Sequence, residues 1–483
     1  MKKYILMCIE SQWYSLNLED FESFEANNSL RFRSTDRLIT FQASDLIREL
    51  YSRNPKVNLP IIIDLESFDK QMSQEGKEFR EYKNWKVLNF LKHHQIIDSG
   101  FELNFDNFKL VLQHLAVLYL KLIENDVSEK NRFENVEITI NKLIHERQIK
   151  GVRINKEIAE KKCVEIDKEI YRIKNILQLQ YNIFAPENEK QQKTYLNSKG
   201  YTIFESLLYT FKTRRNDDLI CEYFYDLLRN KQDLESLLYI ISRWGGEQRT
   251  YPRYLGFGTI TSRIILREPS LQNLRKVNRD VIVPDLGMKL LYIDYSQFEA
   301  GILASLSDDE NMIALYNSDI YKDLAKSVLG DESKRDDAKI IFYRYMYGDK
   351  SLDLQAKSYF HKFRKLENYR KSIALEIFQN KKIGTLNGNF RCPKDDDEEI
   401  IWSLSHKIQA TASLIYKNAL LQVYNNFFRG VEFLIPMHDG TLYQINEIEY
   451  DKIRKEIENI YIEEFKKACP KINPRVRSNE LFQ

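Results

Sequence analysis

The chain has 483 residues, of which 43% are apolar and 30% charged, and its 73 basic and 71 acidic side chains leave a formal net charge of +2. That length suits two or three domains, each with its own core, and near neutrality means that any surface for a polyanion must be a local concentration of cations. Five scattered cysteines (Cys8, Cys163, Cys221, Cys392, Cys469) with no CxxC pair exclude a zinc or disulfide framework and predict a reduced intracellular protein. No apolar run approaches the roughly 20 residues of a membrane span, and the opening residues 1–8 are too short for a signal peptide and read as a strand.

Residues 1 to about 130 read as a small α/β unit. Strands are expected at 4–9 and 59–63, and helical apolar spacing covers 82–91 and 108–123. The acids available to a two-metal nuclease here are Glu10, Asp45 and the Asp64–Glu66 pair; taken alone they are ordinary capping or surface acids. From about residue 134 long helices follow: 136–148, closed by Gly151; 156–180, with Ile158, Cys163, Ile166, Ile170 and Ile173 on one side; and 217–244, carrying Leu227, Leu228, Leu234, Leu237 and Leu238. Their charged faces suit a grip on a phosphate backbone or a solvated bundle equally well.

The next segment, Thr261-Ser262-Arg263 through Gln272-Asn273, is polar and loop-rich. Arginine can clamp phosphate bidentately, and paired amides can reach base edges or sugars. It leads into Leu290-Leu291-Tyr292-Ile293-Asp294, an apolar strand ending on a carboxylate, and then into a helical run from Phe298 to Leu306. A strand end can fix an acid in front of a sheet. Residues 305–400 are mostly helical, and within them Arg335, Lys339, Tyr343 and Tyr347 recur every fourth residue before Gly348. On a helix they form one stripe about 18 Å long, enough for cations to hold a triphosphate at one end and an aromatic ring to meet a base at the other. Finally, strands at 431–435 and 441–445 flank a turn, Pro436-Met437-His438-Asp439-Gly440. An Asp-Gly turn needs no function. Two carboxylates on neighbouring strands, however, could share divalent ions roughly 3.5–4 Å apart for in-line nucleotidyl transfer.

In this order the segments resemble the family A DNA polymerases, the bacterial DNA polymerase I type. Asp294-Tyr295-Ser296-Gln297-Phe298-Glu299 is similar to that family's motif A, Arg335-x3-Lys339-x3-Tyr343-x3-Tyr347-Gly348 to motif B, and Met437-His438-Asp439 to motif C. Thr261-Ser262-Arg263 with Gln272-Asn273 is similar to the Thr-Gly-Arg…Leu-Gln-Asn segment, and Ile408-Gln409-Ala410-Thr411-Ala412 to a Val-Gln-Gly-Thr-Ala helix. The resemblance spans roughly residues 134–483. It implies a mixed α+β right-hand fold of palm, fingers and thumb, with a small ribonuclease-H-like α/β domain in front. The implied boundaries are 1–130 for a degenerate 3′–5′ exonuclease-like domain, 131–250 for the thumb and connecting helices, 251–304 and 401–483 for the palm, and 305–400 for the fingers.

The resemblance also implies roles. Asp294 and Asp439, with the backbone carbonyl of Tyr295, would bind two Mg²⁺ ions, for which Mn²⁺ could substitute. Arg335 and Lys339 would neutralise the triphosphate, Lys339 being a candidate proton donor to pyrophosphate. Tyr343, Gln297 and Tyr321 would meet the nucleotide, and Glu299 would crowd a ribose 2′ oxygen. Tyr347, Gly348, Arg263, Gln272, Asn273, Gln409 and His438 would line primer and template. The expected partners are primer-template DNA and deoxynucleoside triphosphates, with no membrane.

Departures are visible as well. Gly440 stands where the family usually has Glu, Gly301 where it has Arg, and Tyr321 where many members have a phosphate-contacting His. Tyr343 is the alternative that implies ready use of dideoxynucleotides. The opening strand gives Cys8-Ile9-Glu10 in place of Asp-x-Glu, and the later tyrosine-aspartate motif is missing, which predicts a domain without proofreading. The expected activity is templated, primer-dependent DNA synthesis. The alternatives are a polymerase-shaped nucleic-acid binder with weak chemistry, and untemplated nucleotide addition.

Overall fold

The N-terminal residues build a five-stranded sheet because their apolar side chains alternate between two buried faces. The strands β1 (Lys3–Ile9), β2 (Gln12–Asn17), β3 (Phe24–Ala26), β4 (Arg37–Thr40) and β5 (Ile61–Asp64) lie in the order β3-β2-β1-β4-β5. The β1–β2 and β2–β3 pairs are antiparallel, and the β1–β4 and β4–β5 pairs are parallel. Ile5, Met7, Leu16, Ile39 and Ile63 face one core, and Leu6, Trp13, Leu38 and Ile62 the other. On the first face lie α1 (Leu65–Met72) and α2 (Phe108–Ile123), which buries Val111, Leu112, Leu115 and Tyr119. A short helix, α3 (Val127–Arg132), is capped by Asp126 and continues through one π-helical turn, Phe133–Glu137, into Ile138–Lys150.

The computed structural model describes residues 1–480 apart from 28, 55–58, 77–85, 105, 204–205, 243–247, 350–351, 394–401, 428–429 and 438. The expected helix at 82–91 is therefore described only from Val87, as Val87–His93, and the end expected at Trp244 lies outside the described residues. The chain divides into two units. One comprises 1–149, 254–265 and 287–480, and the other 150–253 and 266–286, closing with 481–483.

The second unit is helical. In it α4 (Lys156–Tyr181), capped by Asn155, packs along α5 (Leu219–Ser242) through Ile170, Ile173, Leu177, Phe224 and Leu227. The spacing of these residues, three or four apart, gives the apolar stripe. The polar Arg275 and Asn278 of this unit are tied to Asp233, so that arginine is held by protein carboxylate.

In the first unit a four-stranded antiparallel sheet carries the acids singled out above. Its strands are β6 (Met288–Tyr295), β7 (Val431–Pro436), β8 (Gly440–Asn446) and β9 (Val476–Asn479), in the order β7-β8-β6-β9. Chain reversal after β6 leads into α6 (Phe298–Ser307), and beyond it come α7 (Ile320–Leu329) and α8 (Arg335–Met346). Two long helices, α9 (Ser403–Asn426) and α10 (Tyr450–Ala468), complete this part. Phe298 stacks on Tyr295 at 4.1 Å and meets Phe465 of α10 edge-on at 4.9 Å, which fixes α6 against the strand it follows. Gly301 lies in this contact. A Cβ there would fall 2.7 Å from the Tyr316 ring and 3.0 Å from Phe465, so the helix approach leaves no room for the arginine of motif A.

Candidate active site

Three consecutive features put Asp294 where it is. The β6 strand ends at Tyr295; Gln297 takes a left-handed backbone conformation (φ 53°); and α6 starts at the next residue. The Gln297 side chain is occupied in this turn: its Oε1 accepts from Ile320 N at 2.9 Å and its Nε2 donates to Tyr316 O at 3.3 Å. It thereby holds the start of α7 against the strand end. Asp319 caps α7 by accepting from Tyr321 N at 3.0 Å, and its other oxygen accepts from Arg335 Nε at 2.8 Å. These two bonds set α8 in front of the sheet.

On β8 the position opposite Asp294 is Gly440, and Tyr295 N donates to Asp439 O at 3.1 Å. The two aspartates therefore stand side by side on neighbouring strands, although 145 positions apart in the chain. The close approach explains the glycine after Asp439. A Cβ on residue 440 would fall 2.3 Å from Ile293 O and 2.7 Å from Asp294 Cβ, so this packing has no place for the family's glutamate.

An open cavity of about 100 Å³ is lined by Asp294, Tyr295, Ser296, Gln297, Phe298, Tyr321, Arg335, Lys339, Tyr343, Asp439 and Arg477. Most of the residues expected at the nucleotide are thus brought together. The stripe of α8 faces the carboxylates: Arg335 lies over the Tyr321 ring at 5.1 Å, and Lys339 stands 5.9 Å from the Tyr343 ring centroid. Among the described residues Lys339 pairs with no carboxylate, which leaves its ammonium for an anion in the cavity. Helix α8 closes at Met346. Tyr347 is its C-cap, and Gly348 takes the left-handed conformation (φ 74°) that ends the run. The Tyr347 ring stacks on Tyr343 at 6.0 Å, and its hydroxyl accepts from Gln409 Nε2 at 2.8 Å.

Glu299 sits behind the cavity rather than on its wall. It is buried, with Oε1 accepting from Arg263 Nη2 at 2.6 Å and Oε2 without a hydrogen-bond partner. Burial raises its carboxyl from the usual 4.5 to about 7, against the pull of the Arg263 guanidinium. The same guanidinium stands 3.8 Å from Asp439 Oδ1, a buried atom with no hydrogen-bond partner among the described residues. Among the residues that line the cavity, Asp294 and Asp439 offer carboxylate oxygens. An unsatisfied buried carboxylate oxygen in an all-oxygen set suits a hard divalent cation such as Mg²⁺. The Tyr295 side chain is directed away into the core, its hydroxyl donating to Tyr461 O at 3.1 Å.

Gln272 and Asn273 belong to the second unit, where Gln272 Oε1 accepts from Leu266 N at 2.9 Å and Asn273 donates to Ser270 Oγ at 2.8 Å. His438 lies outside the described residues. Conversely, Arg477 reaches the cavity from β9, opposite Asp294. The sequence reading missed it because a four-residue polar strand carries no periodic signal; only its pairing with β6 brings it there.

Comparison with known proteins bears on the family and the fold. The family model "DNA polymerase family A" matches residues 144–471. DNA polymerase I of Caldicellulosiruptor bescii is 26% identical over 386 residues, which cover 68% of this chain and 45% of that protein. DNA polymerase I of Helicobacter pylori strain J99 is 25% identical over 252 residues, covering 45% of this chain and 28% of that protein. The chain thus spans less than half the length of these relatives. Among solved structures, the POL domain of Pol1 from M. smegmatis, in complex with DNA primer-template and dNTP, superposes with a TM-score of 0.79 at 15% identity, over 99% of this chain and 95% of that one. With the fold matched over nearly its whole length and the family model over more than half, the chain belongs to DNA polymerase family A.

Proposed function

We propose that this chain catalyses template-directed, primer-dependent DNA synthesis from deoxynucleoside triphosphates. One observation carries the reading. A single cavity is walled on one side by Asp294 and Asp439 and on another by Arg335, Lys339 and Tyr343 of one helix face. Nucleotidyl transfer needs this pairing, because acids must face the attacking hydroxyl while cations hold the triphosphate.

Asp294, Asp439 and the Tyr295 carbonyl are the residues that would hold two Mg²⁺ ions. When bound, such a pair acidifies the primer 3′ hydroxyl and stabilises charge on the departing pyrophosphate. The remaining steps belong to side chains of this chain. Lys339 meets the phosphates as a mobile point charge and can hand a proton to the leaving oxygen. Arg335, oriented by Asp319, presents its remaining N–H groups to the same phosphates. Tyr343 and Tyr347 offer stacked rings to the nucleotide and the templating base. Tyr321 is buried against Tyr343 and so shapes the pocket where a histidine would have contacted phosphate. Glu299, fixed by Arg263 behind the cavity, is proposed to limit room at the sugar 2′ position. Gln272, Asn273, Gln409, Gly348 and His438 are proposed to follow primer and template.

The N-terminal region is proposed to be an exonuclease-like domain without proofreading, the first of the five segments 1–130, 131–250, 251–304, 305–400 and 401–483. The order β3-β2-β1-β4-β5, an antiparallel meander continued by two parallel strands, supports the ribonuclease-H-like reading. Two of its acids are committed to the fold: Asp64 caps α1, accepting from Glu66 N at 3.0 Å, and Glu66 is paired with buried Lys70 at 2.7 Å. Among the described residues no helix is long and apolar enough to cross a membrane.

The test is extension of a 5′-labelled primer on a template with Mg²⁺, read for length, sugar choice and shortening from the 3′ end. The reading requires template-dependent extension by the wild type and none by Asp294→Asn. Extension without template would replace it by untemplated addition. No extension with tight primer-template binding would make the chain a binder.

A further inference from the structure

Arg263 holds Glu299 and neighbours Asp439, and it projects from a turn whose preceding residue is conformationally unusual. Ser262 has φ 62°, in the left-handed region that a side chain with a Cβ seldom enters, and it is fully buried. The turn is closed by Ser262 N donating to Thr259 O at 2.9 Å, Gly258 N to Arg263 O at 2.9 Å, and Arg263 N to Thr259 Oγ1 at 3.1 Å.

What fixes Ser262 is a buried ionic group drawn from two other segments of the same unit. Arg132, at the end of α3, donates from Nη2 to Ser262 Oγ at 2.7 Å and from Nε to Glu137 Oε1 at 3.0 Å. Lys417 of α9 donates to the other Glu137 oxygen at 2.6 Å. Ser262 Oγ in turn donates to Ser413 Oγ of α9 at 3.0 Å, and Ser413 Oγ donates back to Ser262 O at 2.9 Å. Arg132 is 1% exposed, Glu137 3% and Lys417 0%. Two cations share one anion here, and Arg132 Nη1 has no hydrogen-bond partner among the described residues. Such a group is costly to bury; its arginine bonds the Ser262 hydroxyl, while the Ser262 carbonyl is held by Ser413.

We propose that Ser262 is a positioning residue, locked in its left-handed conformation by the Arg132–Glu137–Lys417 group and Ser413, and that this lock aims the Arg263 guanidinium at Glu299 and Asp439. The proposal rests on the polymerase reading for its consequence in catalysis, but not for its structural content. Arg263 does not touch Arg335 or Lys339, so a misdirected Arg263 lowers turnover and leaves triphosphate binding as it was.

Two measurements on the full chain test it: primer extension resolved into kcat and KM for the nucleotide, and hydrogen exchange at the Gly258, Ser262 and Arg263 amides. Ser262→Ala keeps the disfavoured backbone and loses the hydroxyl. It is expected to lower kcat roughly tenfold, the effect of releasing one strained residue, with KM within about twofold, and to speed exchange at the three amides. Arg132→Met should do the same. Adding Ser262→Gly to Arg132→Met should recover both readouts, because glycine takes the left-handed conformation without help. A merely structural Arg132, welding three segments together, would show no recovery by glycine. Failure of the glycine rescue, or unchanged exchange in Arg132→Met, overturns the proposal. Should Arg132→Met not fold, the comparison of Ser262→Ala with Ser262→Gly decides it, equal exchange in the two overturning it. Absence of extension by the wild type would sink the polymerase reading, while the exchange arm still decides the inference.

Discussion

Two regions of this chain carry acids at the ends of parallel or antiparallel strands, and they use them in opposite ways. In the N-terminal sheet Asp64 ends β5 and caps the helix that follows it, while Glu66, in the first turn of that helix, is buried against Lys70. In the second sheet Asp294 nears the end of β6 and Asp439 immediately precedes β8; these line an open cavity, and a buried oxygen of Asp439 has no hydrogen-bond partner. The cations differ correspondingly. Lys70 is fully buried and structural, whereas Lys339 is exposed on the cavity wall. An acid at a strand end is therefore not a site in itself. It becomes one when the fold leaves a carboxylate oxygen without a hydrogen-bond donor and sets cations across a gap wide enough for a substrate.

The comparison can be broken most decisively at the acids. Asp294→Asn or Asp439→Asn should reduce extension by at least about a thousandfold while primer-template affinity measured by fluorescence anisotropy changes little. Asp64→Asn and Glu10→Gln should leave extension and 3′-end integrity as in the wild type, and a wild type that shortens the primer in a manner lost in these variants would erase the contrast. Next in size, Lys339→Ala should lower kcat/KM for the nucleotide roughly a hundredfold, read by single-nucleotide incorporation. In the N-terminal core, Lys70→Met leaves Glu66 buried without its cation and should cost about 3 kcal/mol, seen as a lower melting temperature with the incorporation rate of the folded enzyme retained.

The smallest effect is a pH dependence. The folded state raises the Glu299 carboxyl from the usual 4.5 to about 7, so it holds that proton more tightly than the unfolded chain does. The stabilisation this gives is complete below about 4.5 and is lost as pH rises through about 7. Melting temperature followed across that window should fall more for the wild type than for Glu299→Gln; parallel curves would show that Glu299 is charged throughout.

Much of this was legible in the sequence because it is encoded over short distances. The fourfold repeat from Arg335 to Tyr347 specifies one helix face whatever the helix packs on, and the structure keeps it as Arg335–Met346 with Tyr347 as the cap. The apolar runs into Asp294 and out of Asp439 specify strands, and those strands pair. The departures from the family pattern were legible only as letters. Gly440 and Gly301 read as losses, yet each occupies a contact where a Cβ would lie 2.7 Å or less from a neighbour. Gln297 was expected at the nucleotide, and although it lines the cavity its amide groups hold the start of α7.

By itself the sequence determined the local objects: the strand ends, the cationic stripe, the Asp-Gly turn, and through their order the family. Periodicity and turn chemistry act over a few residues, so they can be read without knowing the fold. Only the tertiary structure decided which polar groups remain available, since that depends on neighbours far away in sequence. It set Arg477 opposite Asp294, spent Asp64 on a helix cap, and tied Ser262 to Arg132 across 130 positions. Hydrogen-bond satisfaction is a property of the packed interior as a whole, and no stretch of the chain contains it.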